Sequence, residues 1–397
     1  MNETVAPPGQ AAFDPVALAR QAQGRAIDPT VSAWVSASAG SGKTTVLTNR
    51  VLALMLAGVA PERILCLTFT KAAAAEMANR ISGRLGAWVT DADDAVLADI
   101  APLLGRDPDP DDLRRARRLF ARVLDAPGGL RIETIHAFCQ SLLRRFPIEA
   151  GVSPQFDLMD ERSAAEALAE ARDHVIASSA DAELAAALAF ITARVHETRF
   201  PELVAEITRQ RTRLERLFDT HGGLDAAGLD GAVAALRRAL GLTDTDTAEG
   251  VRAAACGDDV LDVPGLKRAA AALAAGSAAD QERGAGLSAW LNLAPSARAA
   301  AFDGYTALFL TKEGEPRKTL ATKAAAARDA AAPEALQREA ARLAAVRERL
   351  ARLATADASA ALLTLAAAIL RDYRAYKRAR SLLDYDDLIE TARRLLQ

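Results

Sequence analysis

Cysteine is scarce in this chain: Cys66, Cys139 and Cys256 are three among 397 residues, far apart and without C-x-x-C spacing. That argues against a disulfide framework, a zinc ribbon or an iron–sulfur site built within the chain, and it suits a reducing cytoplasm. An excess of charge is missing too, since 49 Lys and Arg face 52 Asp and Glu for a net charge of −3. No global basic surface of the histone type is present, although a local basic groove remains compatible with these counts. The stretch from Met1 to Pro15 has no basic segment followed by an apolar one, so no secretory signal is expected. The apolar stretch Ala358–Leu370 falls short of the roughly 20 residues that a membrane-spanning helix needs, and no membrane partner is expected. No repeat at a solenoid period stands out. What is present is ordinary for a folded protein, with half of the residues hydrophobic and a quarter charged. At this length two or three domains are expected, each with its own core.

The order of elements is more informative than the composition. Val31–Ser36 is a short β-branched and aromatic run that ends at a Gly-rich turn and opens into the apolar-periodic segment Lys43–Ala57. Ile64–Phe69 is a second strand-like run, followed by a helical stretch from Ala72 to Trp88. A polar connection, Arg106–Asp112, leads to a basic amphipathic helix near Leu113–Leu124, a short strand at Leu130–Glu133 and another helix from His136. Strands alternating with helices predict an α/β fold with a parallel sheet. Beyond about Asp160 the pattern changes to Ala, Leu, Arg and Glu at helical spacing as far as Ala379, which predicts a large all-helical insertion. The last residues, TARRLLQ, are still in helical pattern without a capping Gly or Asn, and a truncated chain is the expectation.

Chemistry concentrates in Ala37-Ser38-Ala39-Gly40-Ser41-Gly42-Lys43-Thr44, between a strand-like run and a helix start. Gly40 and Gly42 let the backbone turn its N–H groups inward into an anion-binding nest, to which the helix N-terminus adds partial positive charge. Lys43 supplies a mobile cation for the β- and γ-phosphates, and Thr44 supplies a hydroxyl for Mg²⁺. The general phosphate-loop pattern begins with Gly, whereas Ala37 stands there in this chain.

That departure is shared with a known group: ASAGSGKT resembles the first helicase motif of the superfamily 1 (UvrD/Rep-like) helicases, in which Ala commonly opens the loop. Leu67–Met77 (LTFTKAAAAEM) is similar to that family's motif Ia, Ile132–Cys139 (IETIHAFC) to motif Ib, and Leu383–Ile389 (LDYDDLI) to the segment preceding its Walker B motif. Gln23-Gly24-Arg25-Ala26 resembles the Q motif, whose Gln reads the adenine edge, with Gln21 as a competitor. Within the family, FCQSLLRRFPIEAG (Phe138–Gly151) looks most like the AddA-type double-strand-break repair helicases.

The resemblance implies a RecA-like P-loop NTPase domain, 1A, over residues 1–159, a helical insertion domain, 1B, over 160–379, and a return into 1A over 380–397. It implies ATP and Mg²⁺ as cofactors, with Gln23 and residues Ala37 to Thr44 binding the nucleotide. Single-stranded DNA and DNA ends are the implied partners, with an AddB-like subunit for the longer protein. The DNA contacts carried over are Thr68, Phe69, Thr70, Thr134 and His136.

The residues themselves leave some of this open. Phe69 lies where a parallel sheet delivers its carboxyl ends and could stack on a base, or it could simply end a buried strand. His136 opens a helix and could meet a phosphate, or it could pack. Arg114–Arg118 and Arg209–Arg216 could touch DNA phosphates or be solvated helix faces, the commoner case, and Asp384, Asp386 and Asp387 could suggest a metal site, although the resemblance places them on a structural segment returning into the ATPase core. His174, His196 and His221 receive no role. No apolar run followed by Asp-Glu occurs after Leu383, where the family's Walker B acid is expected. The expectation is therefore the motor portion of a 3′→5′ helicase, inactive in hydrolysis by itself, set against a stand-alone nucleotide-dependent DNA-binding or regulatory protein. An unrelated P-loop kinase or transporter ATPase leaves the motif Ia segment unexplained.

Overall fold

Helix α1 (Pro15–Ile27) and helix α2 (Lys43–Leu56) open the chain, and β1 (Leu65–Thr68) follows. Then come α3 (Lys71–Thr90), α4 (Asp93–Leu104), α5 (Pro110–Asp125), β2 (Arg131–Thr134), α6 (Ile135–Arg145) and the two-residue strand β3 (Asp157–Leu158). The computed structural model describes residues 15–36, 38, 40, 42–177 and 181–397. It divides into two units, Met1–Leu158 with Leu383–Gln397, and Met159–Leu382.

The first unit is built on amphipathic spacing. In α3, Met77, Ile81, Leu85 and Trp88 recur on one stripe and meet Leu52, Met55 and Leu56 of α2, Ile100 of α4 and Leu119 of α5 in one core. Trp88 is buried without an orphaned donor, because its indole N–H donates to Asp99 Oδ2 at 2.6 Å. β1 and β2 run parallel, in a register that sets Leu65 opposite Arg131 and Thr68 opposite Thr134. The crossover between them passes through α3, α4 and α5, as a parallel pair requires. Cys66 and Ile132 face the core, whereas Leu65 and Leu67 are exposed.

The expected strand at Val31–Ser36 is not formed. No ladder partner pairs with it among the described residues, and its backbone is held by a side chain instead. Arg50 donates to the carbonyl of Val31 at 2.6 Å and to those of Ala26 and Asp28 at 2.8 Å each. Without a partner strand to complete the ladder, Val31, Trp34 and Val35 remain exposed. The sheet of the first unit is thus the two-stranded β1–β2 pair, one residue later at its second strand than the spacing at Leu130–Glu133 predicts.

Helix α5 begins with Pro110 and a reciprocal cap: Asp112 N–H donates to Asp109 Oδ1 at 2.9 Å, and Asp109 N–H donates to Asp112 Oδ2 at 3.0 Å. The Arg106 guanidinium, bonded to both Asp112 oxygens at 2.7 and 3.0 Å, holds that buried carboxyl below the usual carboxylate range. A carboxylate with a depressed folded-state pKa stabilises the fold above its unfolded pKa of about 3.9, and that contribution is lost as the pH falls through the folded value. Asp112→Asn is therefore expected to cost about 1–2 kcal/mol near pH 7. The gap to the unsubstituted chain should close in strong acid. Urea midpoints at pH 7 and pH 3 check this, and an equal gap at both pH values contradicts it.

The second unit is helical. Its elements are α7 (Glu161–Ala177), α8 (Ala182–Thr192), α9 (Phe200–Arg209), α10 (Arg211–Thr220), α11 (Ala226–Ala239) and α12 (Ala248–Ala255). After these come α13 (Val263–Leu273), α14 (Ala278–Leu291), α15 (Pro295–Ala300), α16 (Phe302–Phe309), α17 (Lys323–Arg328) and the 48-residue α18 (Ala332–Ala379). Among the described residues of this unit the only bridge outside the named strands joins Leu310 and Pro316.

Helix α18 is the common wall of several small cores. Leu336, Ala340 and Leu343 pack with Leu273, Trp290 and Phe309. Farther along, Leu365 and Ile369 meet Leu184, Ile191 and Val204, and Tyr373 meets Ala167 and Ala171. By length and composition α18 is apolar enough to cross a membrane, which the short run Ala358–Leu370 does not reveal, but half of its apolar window is buried within the protein. The strand β4 (Leu382–Leu383) and helix α19 (Tyr385–Leu395) end the chain. Helix α19 packs on α6 through Leu388 and Ala392 against Cys139 and Leu143.

Candidate nucleotide site and sheet edge

Two positive dihedrals shape the loop. Gly40 has φ 80° and Gly42 has φ 84°, both in the left-handed region where an L side chain is strained. Gly42 is the N-cap of α2, and no side chain caps that helix start. The N–H groups of its first turn have no acceptor within the helix, so they form an anion-binding terminus. Lys43 leads α2 and its Nζ donates to the carbonyl of Ser38 at 2.9 Å, while Thr44 is half-buried in the same turn. Ala37, Ala39 and Ser41 lie outside the described residues.

Helix α1 packs against α2 and brings Gln23 to this loop. A Cβ added to Gly42 would lie 3.8 Å from Gln23 Nε2. Gln23 and Lys43, twenty positions apart, line one cavity of about 310 Å³ together with Trp34, Ser36 and Val46. Gln21, the competitor for the same role, does not line it. That volume lies at the small end of ordinary ligand sites, which run from roughly 300 to 1,000 Å³. An amide and a cation beside an uncapped helix start, with Ala22, Ala26 and Val46 as aliphatic lining, fit a nucleotide with its phosphates on the glycine loop. Thr44, next in the same turn, is the residue that could hold a Mg²⁺ ion on those phosphates, which when bound would supply charge neutralisation.

At the sheet, the register places Thr68 opposite Thr134 at the carboxyl ends of both strands. Phe69, next in the chain, is 88% exposed, so the reading of it as the buried end of a strand does not hold. The threonines have structural work of their own. Thr70 caps α3 by accepting from Ala73 N–H at 3.1 Å, and Thr134 caps α6 by accepting from Ala137 N–H at 3.2 Å. Thr68 Oγ1 donates to the carbonyl of Thr70 at 2.9 Å, which tightens the turn that carries Phe69. His136 is half-buried in the first turn of α6 and meets the ring of Tyr385 edge-on at 4.8 Å.

Tyr385 received no role from the sequence, and it enters only because α19 packs on α6. The neighbouring carboxylates form a cap: Asp384 accepts from Asp387 N–H and Asp387 accepts from Asp384 N–H, each at 3.0 Å. Asp-x-x-Asp before an apolar run was the available signal. Among the described residues no group of three or more His, Cys, Asp and Glu could hold a metal ion. Two of the five arginines of α5 serve the fold: Arg115 bonds the carbonyl of Leu56 at 2.8 Å and Arg117 those of Val89 and Asp91 at 2.9 Å each. Burial pushes the Cys66, Cys139 and Cys256 thiols up from their ordinary value.

The chain is similar to known proteins over part of its length. The chain is 37% identical over 142 residues to the A-subunit of the ATP-dependent helicase/nuclease of Lactobacillus johnsonii, covering 36% of this chain and 10% of that protein. It is 36% identical over 129 residues to the same-named protein of Enterococcus faecalis, covering 32% and 9%. It is 37% identical over 134 residues to that of Pelotomaculum thermopropionicum, covering 33% and 9%. The chain thus matches about a tenth of the length of these curated relatives. The family model described as the UvrD/REP helicase N-terminal domain matches residues 19–397, nearly the whole chain, and the protein belongs to that family.

Proposed function

We propose that this chain is the N-terminal motor portion of an ATP-dependent 3′→5′ DNA helicase of the AddA helicase/nuclease type, acting in double-strand break repair and recombination. One observation carries the reading: Gly40 and Gly42 in left-handed geometry at an uncapped helix start, with Lys43 and Gln23 on one cavity. In this reading residues 1–159 and 380–397 belong to a RecA-like domain 1A, and residues 160–379 form the inserted domain 1B. The loop amides of residues Ala37 to Gly42, Lys43 and Thr44 hold ATP·Mg, and Gln23 reads the base. Single-stranded DNA lies along the edge marked by Thr68, Phe69, Thr70, Thr134 and His136, where Phe69 offers an exposed ring and the helix starts at Thr70 and Thr134 offer amides to phosphate. An AddB-like subunit is the proposed partner of the longer protein, and the cytoplasm, whose reducing conditions suit three free thiols, its proposed location.

The DNA part is tested by fluorescence anisotropy of a labelled oligothymidine. Phe69→Ala should weaken binding by about tenfold, because a base–aromatic stack contributes roughly 1–3 kcal/mol. His136→Ala should weaken it less. Unchanged affinity in both variants would remove this edge from the DNA path. The absence of an apolar run followed by Asp-Glu after Leu383 favours a second reading of these 397 residues taken alone, namely nucleotide-dependent DNA binding without turnover.

A further inference from the structure

Helix α1 has little apolar surface to hold it in place. Among its described side chains only Ala26 and Ile27, in the last turn, are buried. Gln23 projects from the same helix toward the glycine loop, so the position of α1 decides where that amide stands. A polar tie supplements the thin packing. The half-buried Arg50 of α2 donates through Nη1 to the carbonyls of Ala26 and Asp28, at 2.8 Å each. The Ala26 carbonyl is among the last four of α1, which find no donor within the helix, and a cation suits that negative end of the helix dipole. Asp28 completes the corner: its carboxylate accepts from the Thr30 N–H at 2.9 Å and from the Thr30 hydroxyl at 2.7 Å.

Helical spacing sets this tie one turn away from the cavity. Gln23 and Ala26 are three positions apart on α1, and Val46 and Arg50 four apart on α2, so each pair shares a helix face. Gln23, Ala26 and Val46 line the cavity with Lys43, whereas Arg50 does not. Its guanidinium therefore acts on the chain beside the cavity and not on a ligand within it. Helix α2 starts at the glycine loop and carries Arg50 about two turns later, so one rigid element holds the phosphate site and the anchor of α1. We propose that Arg50 is a positioning residue, which sets Gln23 against the base of a nucleotide whose phosphates lie on the glycine loop. The proposal rests on the nucleotide reading given above and adds to it the group that ties base reading to phosphate binding. A residue that served packing alone would affect every ligand alike, and its effect would not depend on Gln23.

The test is calorimetric binding of ATP, GTP and inorganic tripolyphosphate to the full 397-residue chain with Mg²⁺. Arg50→Ala should weaken ATP about three- to tenfold, the size of one lost hydrogen bond, reduce its preference over GTP and leave tripolyphosphate unchanged. Gln23→Ala should do the same. In the double variant Arg50→Ala should add nothing to the loss, because a residue that acts through the Gln23 amide has no effect once that amide is gone. Arg50→Lys, whose shorter side chain can still donate to a carbonyl, should recover part of the affinity. Circular dichroism checks folding, and if Arg50→Ala does not fold, Arg50→Lys takes its place in the same cycle with Gln23→Ala. The proposal is overturned if the Arg50 variant binds ATP like the unsubstituted chain, or if ATP and tripolyphosphate weaken equally. It is also overturned if the losses from Arg50 and Gln23 add in full, which marks a structural role. If the unsubstituted chain binds all three ligands and Gln23→Ala changes none of them, the positioning role alone fails. If the unsubstituted chain binds none of them, the nucleotide reading falls with it.

Discussion

The purified chain is expected to bind Mg·ATP and to show no DNA-stimulated hydrolysis, and Lys43→Ala is expected to weaken the binding. Ground-state phosphate binding uses groups already assembled: the left-handed glycines Gly40 and Gly42, the uncapped start of α2, and Lys43. Lys43 must exchange its bond to the Ser38 carbonyl for a bond to phosphate, a charge-assisted contact. Its removal should weaken binding by about tenfold to a hundredfold, since hydrogen bonds to charged groups contribute about 1.5–3 kcal/mol.

Turnover asks for more than ground-state binding. Orienting water and stabilising the transferring phosphoryl group call for an acid beside the metal and for arginine fingers, and one such arginine changes turnover by about 10³–10⁵-fold in related nucleotide hydrolases. The 397 residues hold no apolar run ending in Asp-Glu after Leu383. Fluorescent-nucleotide binding and steady-state ATPase with and without single-stranded DNA make the comparison. Hydrolysis at a complete motor's rate, lost in Lys43→Ala, would overturn the proposed reading of the chain as a motor portion.

Glu339→Ala is expected to destabilise the helical unit by about 3–5 kcal/mol. Glu339 is 5% exposed on α18 and accepts from the Tyr305 hydroxyl at 2.6 Å. It also takes both arms of Arg342, at 2.6 and 2.8 Å. Tyr305 in turn stacks on Trp290 at 3.6 Å, and the Trp290 indole donates to the Arg298 carbonyl. Burial and the charge of Glu339 push the Tyr305 hydroxyl strongly up, so it remains a donor throughout the accessible pH range. Deleting the carboxylate strands the buried Tyr305 hydroxyl and leaves the half-buried Arg342 guanidinium with its bond to the Ala255 carbonyl at 2.9 Å. Glu339→Gln keeps an acceptor for Tyr305 and should lose about half as much, while Tyr305→Phe should cost about 1–2 kcal/mol. Urea unfolding followed by near-ultraviolet circular dichroism, which senses the Trp290–Tyr305 stack, measures all three. A loss under about 1 kcal/mol in Glu339→Ala, the size of one ordinary hydrogen bond, would mean that the network is not coupled to the core.

How much of this was legible in the sequence varies with the range of the interaction concerned. The glycines of the phosphate loop were legible because left-handed φ is a local demand that glycine meets without strain. Helix starts were equally local: Thr70, Thr134 and Asp384 each cap the helix that follows them, and the apolar stripe of α3 follows from residues three and four apart. The helical run between Glu161 and Ala379 was visible in its periodicity for the same reason. The strand expected at Val31–Ser36 fails because a strand exists only with a ladder partner, and no local pattern states whether the partner is there. The sequence run shows β propensity; the structure shows Arg50 holding the backbone instead.

Distance in the chain marks the remainder. That Gln23 meets the loop, that Trp34 shares its cavity, and that Tyr385 flanks His136 are consequences of how α1 packs on α2 and α19 on α6. The sequence by itself determined the loop chemistry, the helix caps and the helical character of the second unit, because each depends on residues within a turn or two of one another. Only the tertiary structure decided the exposure of Phe69 and Trp34, the Thr68–Thr134 register and the Glu339 network. Those depend on which surfaces the packed helices cover and which they leave to water, a global balance of burial that no local pattern encodes.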